Sequence, residues 1–312
     1  MKTLCRYCKS EDIIRNGRRL TTERGRVQVY RCKSCSRQFC EDDGYRWKHK
    51  SKETITNTIE LYIGGLSSRF VAHFERLSKN TVIRWIYEYS QRISRFTNRI
   101  KPKLASKLHL DELFLKMCNT FFYIWDSICA DTRFATIVFS PTRGKKSAEK
   151  LILESPNTND MVFDGAFQYP AVIKMMFGVW WYYNNCHRCK DLEDKKNNNM
   201  IERFQNFIRS KTHQRRGFKN YRRGLLQINL LLIYYNFIRS HMSLGMTPAE
   251  KAGLIEYNGE KYETDRWKFL IKQATEHINF CLTLVSFVLW YSAQRWLCPK
   301  AYIFIWFNFK LV

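Results

Sequence analysis

Acidic residues are scarce in this chain. Its 312 residues hold 28 Asp and Glu against 53 Lys and Arg, a formal net charge of +25. An excess that large repels itself unless a polyanion screens it, which puts nucleic acid first among the partners to expect. The positive residues are spread along the chain and not gathered into one tail or amphipathic helix, so no membrane partner is expected. The start, Met1-Lys2-Thr3-Leu4-Cys5, lacks the apolar run of a signal peptide. The eleven cysteines are therefore expected as reduced thiols in the cytoplasm, not as disulfides. There is no internal repeat. Core-forming residues are not in short supply: hydrophobics make up 45% and aromatics 15%, so disorder is not expected before about residue 254. A chain of this length has room for one substantial domain and one or two small ones.

The first 46 residues carry paired cysteines and short alternating stretches such as Val27-Gln28-Val29-Tyr30-Arg31, which favour small strands. Cys5-x-x-Cys8 and Cys32-x-x-Cys35, with 23 residues between the inner pair, offer four thiolates on two knuckles, the donor set of a closed tetrahedral zinc site. With few apolar residues in this segment, one structural Zn²⁺ would supply most of its folding free energy. A second pair, Cys186-His187-Arg188-Cys189, is half of such a site without a partner pair nearby.

From 51 to 97 apolar positions recur at helical intervals (Ile55, Ile59, Tyr62, Ile63, then Val82 to Ile93), with a break at Gly64-Gly65. The order helix, polar turn Leu77-Ser78-Lys79-Asn80, then a second helix is that of a helix-turn-helix. Ser78 would cap the second helix, leaving Lys79, Asn80 and Arg84 for the major groove. A plain two-helix hairpin gives the same pattern.

Past a basic linker at Pro102, strand-like runs at 108–116, 121–128 and 134–139 predict an antiparallel meander. A helix near 145–154 follows, then a short strand Met161-Val162-Phe163 ending at Asp164-Gly165, a helix from about Pro170, and an apolar strand over Val179 to Tyr183. Helices over 199–212 and 219–240 come next, and Pro248 suits the first turn of a last short one. Strands alternating with helices mean an α/β class with a mixed sheet.

Three acids stand at informative places. Asp111 lies within an alternating strand, Asp164 ends a buried one, and Glu202 opens a helix that leads into Arg203, Arg209, Lys211, His213, Arg215 and Arg216. Acids from two strands and a helix could share a pair of hard divalent cations for phosphoryl transfer, with the basic run on the DNA strand. Asp126 and Asp131 are rival carboxylates, expected at a strand end and a turn, where a surface role suffices.

From Cys5 to Gly253 the chain resembles a prokaryotic insertion-sequence transposase of the DDE class. The resemblance rests on Leu110-Asp111-Glu112, Tyr123-Ile124-Trp125 through Asp131-Thr132-Arg133, Phe163-Asp164-Gly165, Asn199-Met200-Ile201-Glu202-Arg203, and above all Tyr235 through Ala249. It implies a zinc ribbon over 1–46, a helix-turn-helix DNA-binding domain over 50–98 and a ribonuclease H-like catalytic core over 104–253, with a mixed five-stranded sheet and flanking helices. It further implies Asp111, Asp164 and Glu202 as the triad, Mg²⁺ as the usual ion with Mn²⁺ able to replace it, and a supporting role for Asn199. Its substrate would be the element's own terminal repeats and a target DNA, handled at the nucleoid by a homo-oligomer. Two alternatives stay open on the residues alone: a zinc-ribbon regulator without catalysis, and a metal-dependent nuclease or resolvase-like enzyme that does not join strands. Two segments depart from the family pattern and put the activity of this copy in question. One is the polar stretch 184–196; the other is 254–312, whose uncharged run His277 to Gln294 is at the lower edge of a membrane span and is expected to pack on the enzyme.

Overall fold

The structure, a computed structural model, describes residues 4–8, 10–21, 25–40, 44–45, 50–118, 120–164, 166–189, 199–213, 218, 220–257, 259 and 262–276. It separates into two bodies, one of Met1–Lys48 with Lys272–Val312, the other of His49–Ile271.

In the first body, β1 (Ile13–Thr21), β2 (Gly25–Cys32) and β3 (Gln38–Cys40) form an antiparallel sheet in that order. The strands read as the sequence predicts, with Val27 to Arg31 inside β2. Cys5, Cys32 and Phe39 form a small buried cluster, with Ile13, Tyr30 and Cys35 packed against it. So small a cluster gives the module little apolar burial of its own.

The second body begins with α1 (Lys52–Ile63), α2 (Ser68–Phe74) and α3 (Lys79–Thr97). Serines 51, 67 and 78 each cap the helix that follows by accepting a backbone N–H at its third residue. The α1 to α2 break falls at Gly64-Gly65, where Gly65 takes φ 107°. One face of α3 is buried (Val82, Trp85, Ile86, Tyr89, Ile93), at helical spacing.

The sheet that follows is mixed and five-stranded. β4 (Leu104–Ala105) stands apart, pairing with the later β8 (Asn157–Thr158). β5 (Leu108–Met117), β6 (Thr120–Cys129) and β7 (Ala135–Ser140) make the antiparallel meander. After α4 (Lys145–Glu154), β9 (Met161–Phe163) returns parallel to β5. Then come α5 (Gln168–Phe177), α6 (Val179–Asn185) and β10 (Cys186–Arg188), the last parallel to β9. The strand order β10-β9-β5-β6-β7, with helices flanking it, is the ribonuclease H-like arrangement expected.

The fifth strand is not where the sequence places it. Val179 to Tyr183 is helical, and the strand is Cys186–Arg188, inside the stretch read as irregular. Aromatic residues favour strands only where a pleated neighbour receives them. Here Gly178 at φ 92° lets the chain restart as a helix. Phe177 then stacks on Trp181 four residues on (4.7 Å), and Lys174 lies over the rings of Tyr182 and Tyr183. The half-site Cys186-His187-Arg188-Cys189 thus includes an edge strand.

α7 (Asn199–His213) and α8 (Tyr221–Ile233) complete the body, and α8 runs on into a π turn, Tyr234–Ile238. α8 packs against α3, with Ser90 donating to the Leu226 carbonyl (3.1 Å). The side chain of Asn236 (1% exposed) grips the backbone of β7, donating to Ala135 O (2.8 Å) and accepting from Ala135 N (2.9 Å). Thr247 and Glu250 form a capping box on α9 (Pro248–Lys251).

The segment beyond Gly253 is tied to what precedes it. Tyr257 donates its hydroxyl to the Phe237 carbonyl. Helix α10, residues 263–276, sends the buried Arg266 to Ile238 O (2.6 Å) and Ser240 Oγ (2.8 Å). Those carbonyls end the π turn and have no partner in their own helix. The run His277 to Gln294 lies outside the described residues; within them no helix is long and apolar enough to cross a membrane.

Candidate active site

Parallel pairing decides which acids meet. β5 and β9 are in register from Leu108↔Met161 to Leu110↔Phe163, so the next residues on each strand, Asp111 and Asp164, come side by side. The carboxylates of Asp111, Glu112 and Asp164 each offer an oxygen within 4.8 Å of the other two. Backbone donors fix two of them: Glu112 N on Asp111 Oδ1 (2.8 Å) and Ala166 N on Asp164 Oδ1 (2.9 Å). Behind them Tyr169, fully buried between Trp125 and Phe163, donates its hydroxyl to Asp111 O (2.9 Å).

Glu202 arrives on α7, which packs over β5 and β6. The buried stripe Ile201, Phe204, Gln205, Ile208 and Thr212 seats that helix, and Glu202 stays exposed. It stands outside the tight three-acid group, yet its charge acts on Asp111. Burial above all, then the charges of Asp164, Glu112 and Glu202, push the Asp111 carboxyl up to about 7 against the pull of the Glu112 N–H.

Two acids prove more central than the sequence suggests. Asp126 was expected at the surface near a strand end. It is instead 1% exposed in the body of β6, directly opposite Asp111, with Gln205 Nε2 at 3.4 Å from each carboxylate oxygen. Desolvation, and then the Asp111 charge, lift it well above the usual carboxylate range. Asp131 is exposed in a turn, as expected. Glu112, passed over in the sequence, is buried and paired with Arg143. Nothing local signals that pair, because its members are 31 residues apart.

The residues that the sequence assigns to DNA fall into three groups. Lys79, Asn80 and Arg84 are exposed on the first turns of α3. Arg203 and Arg209 are exposed on α7, where Lys211 donates to the Gly64 carbonyl (3.3 Å). Arg215 and Arg216 lie outside the described residues, as does Gly165.

In the first body, Cys5, Cys8, Cys32 and Cys35 converge. Cys5 and Cys35 sulfurs are 3.6 Å apart, and those of Cys8 and Cys32 3.4 Å. A tetrahedral zinc with Zn–S near 2.3 Å would hold its sulfurs about 3.8 Å apart. Arg15, Arg18, Arg19, Arg26 and Arg31 are exposed on the adjoining strands.

A family model described as a DDE domain matches residues 105–230. The transposase for insertion sequence element IS257 in transposon Tn4003 of Staphylococcus aureus is 21% identical over 222 residues, 68% of this chain and 97% of that protein. The transposase for the insertion sequence-like element IS431mec of the same species matches to the same extent. Among solved structures, a chain of the simian T-cell lymphotropic virus intasome in complex with PP2A regulatory subunit B56 gamma aligns at TM-score 0.38 and 8% identity, covering 65% of this chain and 78% of its own. The HTLV-2 integrase catalytic core domain in complex with magnesium aligns at TM-score 0.33 and 11% identity, over 49% of this chain and 98% of its own.

Proposed function

We propose that this chain is an insertion-sequence transposase of the DDE class, a reading supported by the DDE-domain match and the likeness to the two transposases, and that Asp111, Asp164 and Glu202 form its catalytic triad and cut and join DNA at the ends of its element. The observation that carries this is the β5/β9 register, which sets Asp111 beside Asp164 while α7 brings the charge of Glu202 to bear on Asp111.

The donor set suits divalent cations. All four acids offer hard oxygens, and the buried Glu112 Oε2 has no hydrogen-bond partner among the described residues. Uncompensated carboxylates this close repel one another and need positive charge between them. Asp111, Asp164 and Glu202 would hold two Mg²⁺, or Mn²⁺ in their place. Such ions activate an attacking oxygen and stabilise the leaving one.

The protein's part is placement. Backbone N–H groups orient Asp111 and Asp164, and Tyr169 fixes the strand beneath them. A water attacks the phosphodiester at the element end and the 3′-oxygen leaves as a hydroxyl; that hydroxyl attacks a target phosphodiester, whose own 3′-oxygen leaves as a hydroxyl, joining the strands. Lys79, Asn80 and Arg84 read the terminal repeat, while Arg203, Arg209, Lys211, Arg215 and Arg216 hold phosphates. Residues 1–46, folded around one zinc on Cys5, Cys8, Cys32 and Cys35, add a basic surface. Domains 50–98 and 104–253 divide reading from chemistry. Two ends must meet, so at least two copies act together, at the nucleoid in the cytoplasm.

Asp164→Asn tests the reading. Cleavage and strand transfer should fall by at least about a thousandfold, with end binding unchanged in a gel-shift assay. Strand transfer that survives would remove Asp164 from the triad. A wild-type protein that binds ends but cuts nothing would be a regulator, and one that cuts but does not join a pre-cut 3′-hydroxyl end would be a nuclease.

A further inference from the structure

Arg143 lies in the turn between β7 and α4 and pairs through its guanidinium with Glu112. The two sides of that pair are unequal. Glu112 is 4% exposed in its side chain and Arg143 46%. A guanidinium has five N–H donors in a fixed fork, so neutralising Glu112 leaves most of them for something else. Glu112 belongs to the three-acid group, so its pairing sets the guanidinium of Arg143 beside the acidic cluster, where the Asp164 charge acts on it as well.

The turn holds Arg143 firmly. Ser140 Oγ donates to Thr142 O (2.8 Å) and accepts from Thr142 N (3.2 Å), and Ser147 Oγ donates to Ser140 Oγ (2.7 Å). On the other side the buried Gln168, four residues past Asp164, reaches the Arg143 carbonyl (3.5 Å). α4 then starts at Gly144 without a side-chain cap, and Lys145 and Lys146 are exposed in its first turn. The partial positive charge of that helix end adds to theirs.

We propose that Arg143 is a phosphate-binding residue of the active centre, which Glu112 positions to grip a phosphodiester of the DNA end beside the one being cut. This rests on the reading that Asp111, Asp164 and Glu202 hold divalent cations. Charge balance argues the same way. If Glu112 stayed unneutralised, four carboxylates would cancel two divalent cations and leave nothing for the DNA backbone. With Glu112 matched by Arg143, one formal positive charge is left over, and the arginine presents its free N–H groups in the geometry that receives phosphate oxygens in pairs.

The test is binding of a pre-cut element end, with Ca²⁺ in place of Mg²⁺, by DNAs carrying one neutral methylphosphonate at each successive phosphate. Wild type should lose roughly tenfold in affinity at one phosphate next to the 3′ end. Arg143→Gln should bind unmodified DNA more weakly by the same factor and lose nothing further at that phosphate. Glu112→Gln should blunt the same position, and Arg143→Lys should recover part of it, which also serves if the glutamine variant folds poorly. A methylphosphonate profile in Arg143→Gln or Arg143→Lys that parallels wild type at every position would overturn the proposal. Cleavage and strand transfer by Asp164→Asn are read separately, so a failed triad and a failed phosphate site give different results.

Discussion

Asp111 carries a heavy electrostatic burden, with burial and three neighbouring acids opposing its charge. Its carboxyl titrates near 7 in the folded metal-free protein, against 3.8 ordinarily. A folded pKa above the unfolded one means that this group favours folding fully below about pH 4, and that the contribution is lost as pH rises through 7. In EDTA, the melting temperature of wild type should therefore fall between pH 5 and pH 8 relative to Asp111→Asn, by up to about 1.4 kcal/mol of stability per pH unit. Parallel pH profiles for the two proteins would contradict this burial account. The same titration makes cation uptake release a proton, so affinity for Mn²⁺ should climb with pH up to about 7. At this scale much of the site was legible. Asp111 and Asp164 stood out because a charge inside an alternating or apolar strand needs a reason. Asp126 was misjudged because β6 runs on to Cys129, turning a supposed strand-end acid into one facing Asp111. Glu112 and Arg143 could not be found by spacing, since their pairing is made by the closing of the sheet.

Among the elements, α4 and β9 have the bounds their sequence predicts, because polar turns and a capping position frame them. The paired cysteines are equally plain, being their own signal. The proposed zinc would hold β1 to β3 together, so with Cys32→Ser, or with a chelator, amide dispersion in residues 1–46 should collapse, and end binding should weaken. Dispersion that persists after chelation would rule out a structural metal there. What was illegible at this scale was the fifth strand. Trp180 to Tyr183 look like strand residues, and the restart at Gly178 is what lets them run as a helix. The tie between α10 and the π turn was also hidden. Arg266 answers the Ile238 carbonyl and the Ser240 hydroxyl, 28 and 26 residues away, a match that no local pattern announces.

For the whole molecule, charge is the governing quantity. With a net +25, binding to DNA is largely counterion release, and affinity for an element end should drop by about a thousandfold between 50 and 200 mM salt. A flat response would mean that phosphate contacts do not drive association. Residues up to Ile271 belong to the same body as the catalytic sheet, so the place where the family motif ends is not where packing ends. The side-chain amide of Asn236 matters beyond the single residue it holds. β7 is the outer strand of the five, and an outer strand offers its backbone groups to any extended chain that comes by. By occupying both the N–H and the carbonyl of Ala135, Asn236 acts as one rung of a sixth strand without being one. The edge is thereby closed at this rung to any further extended chain.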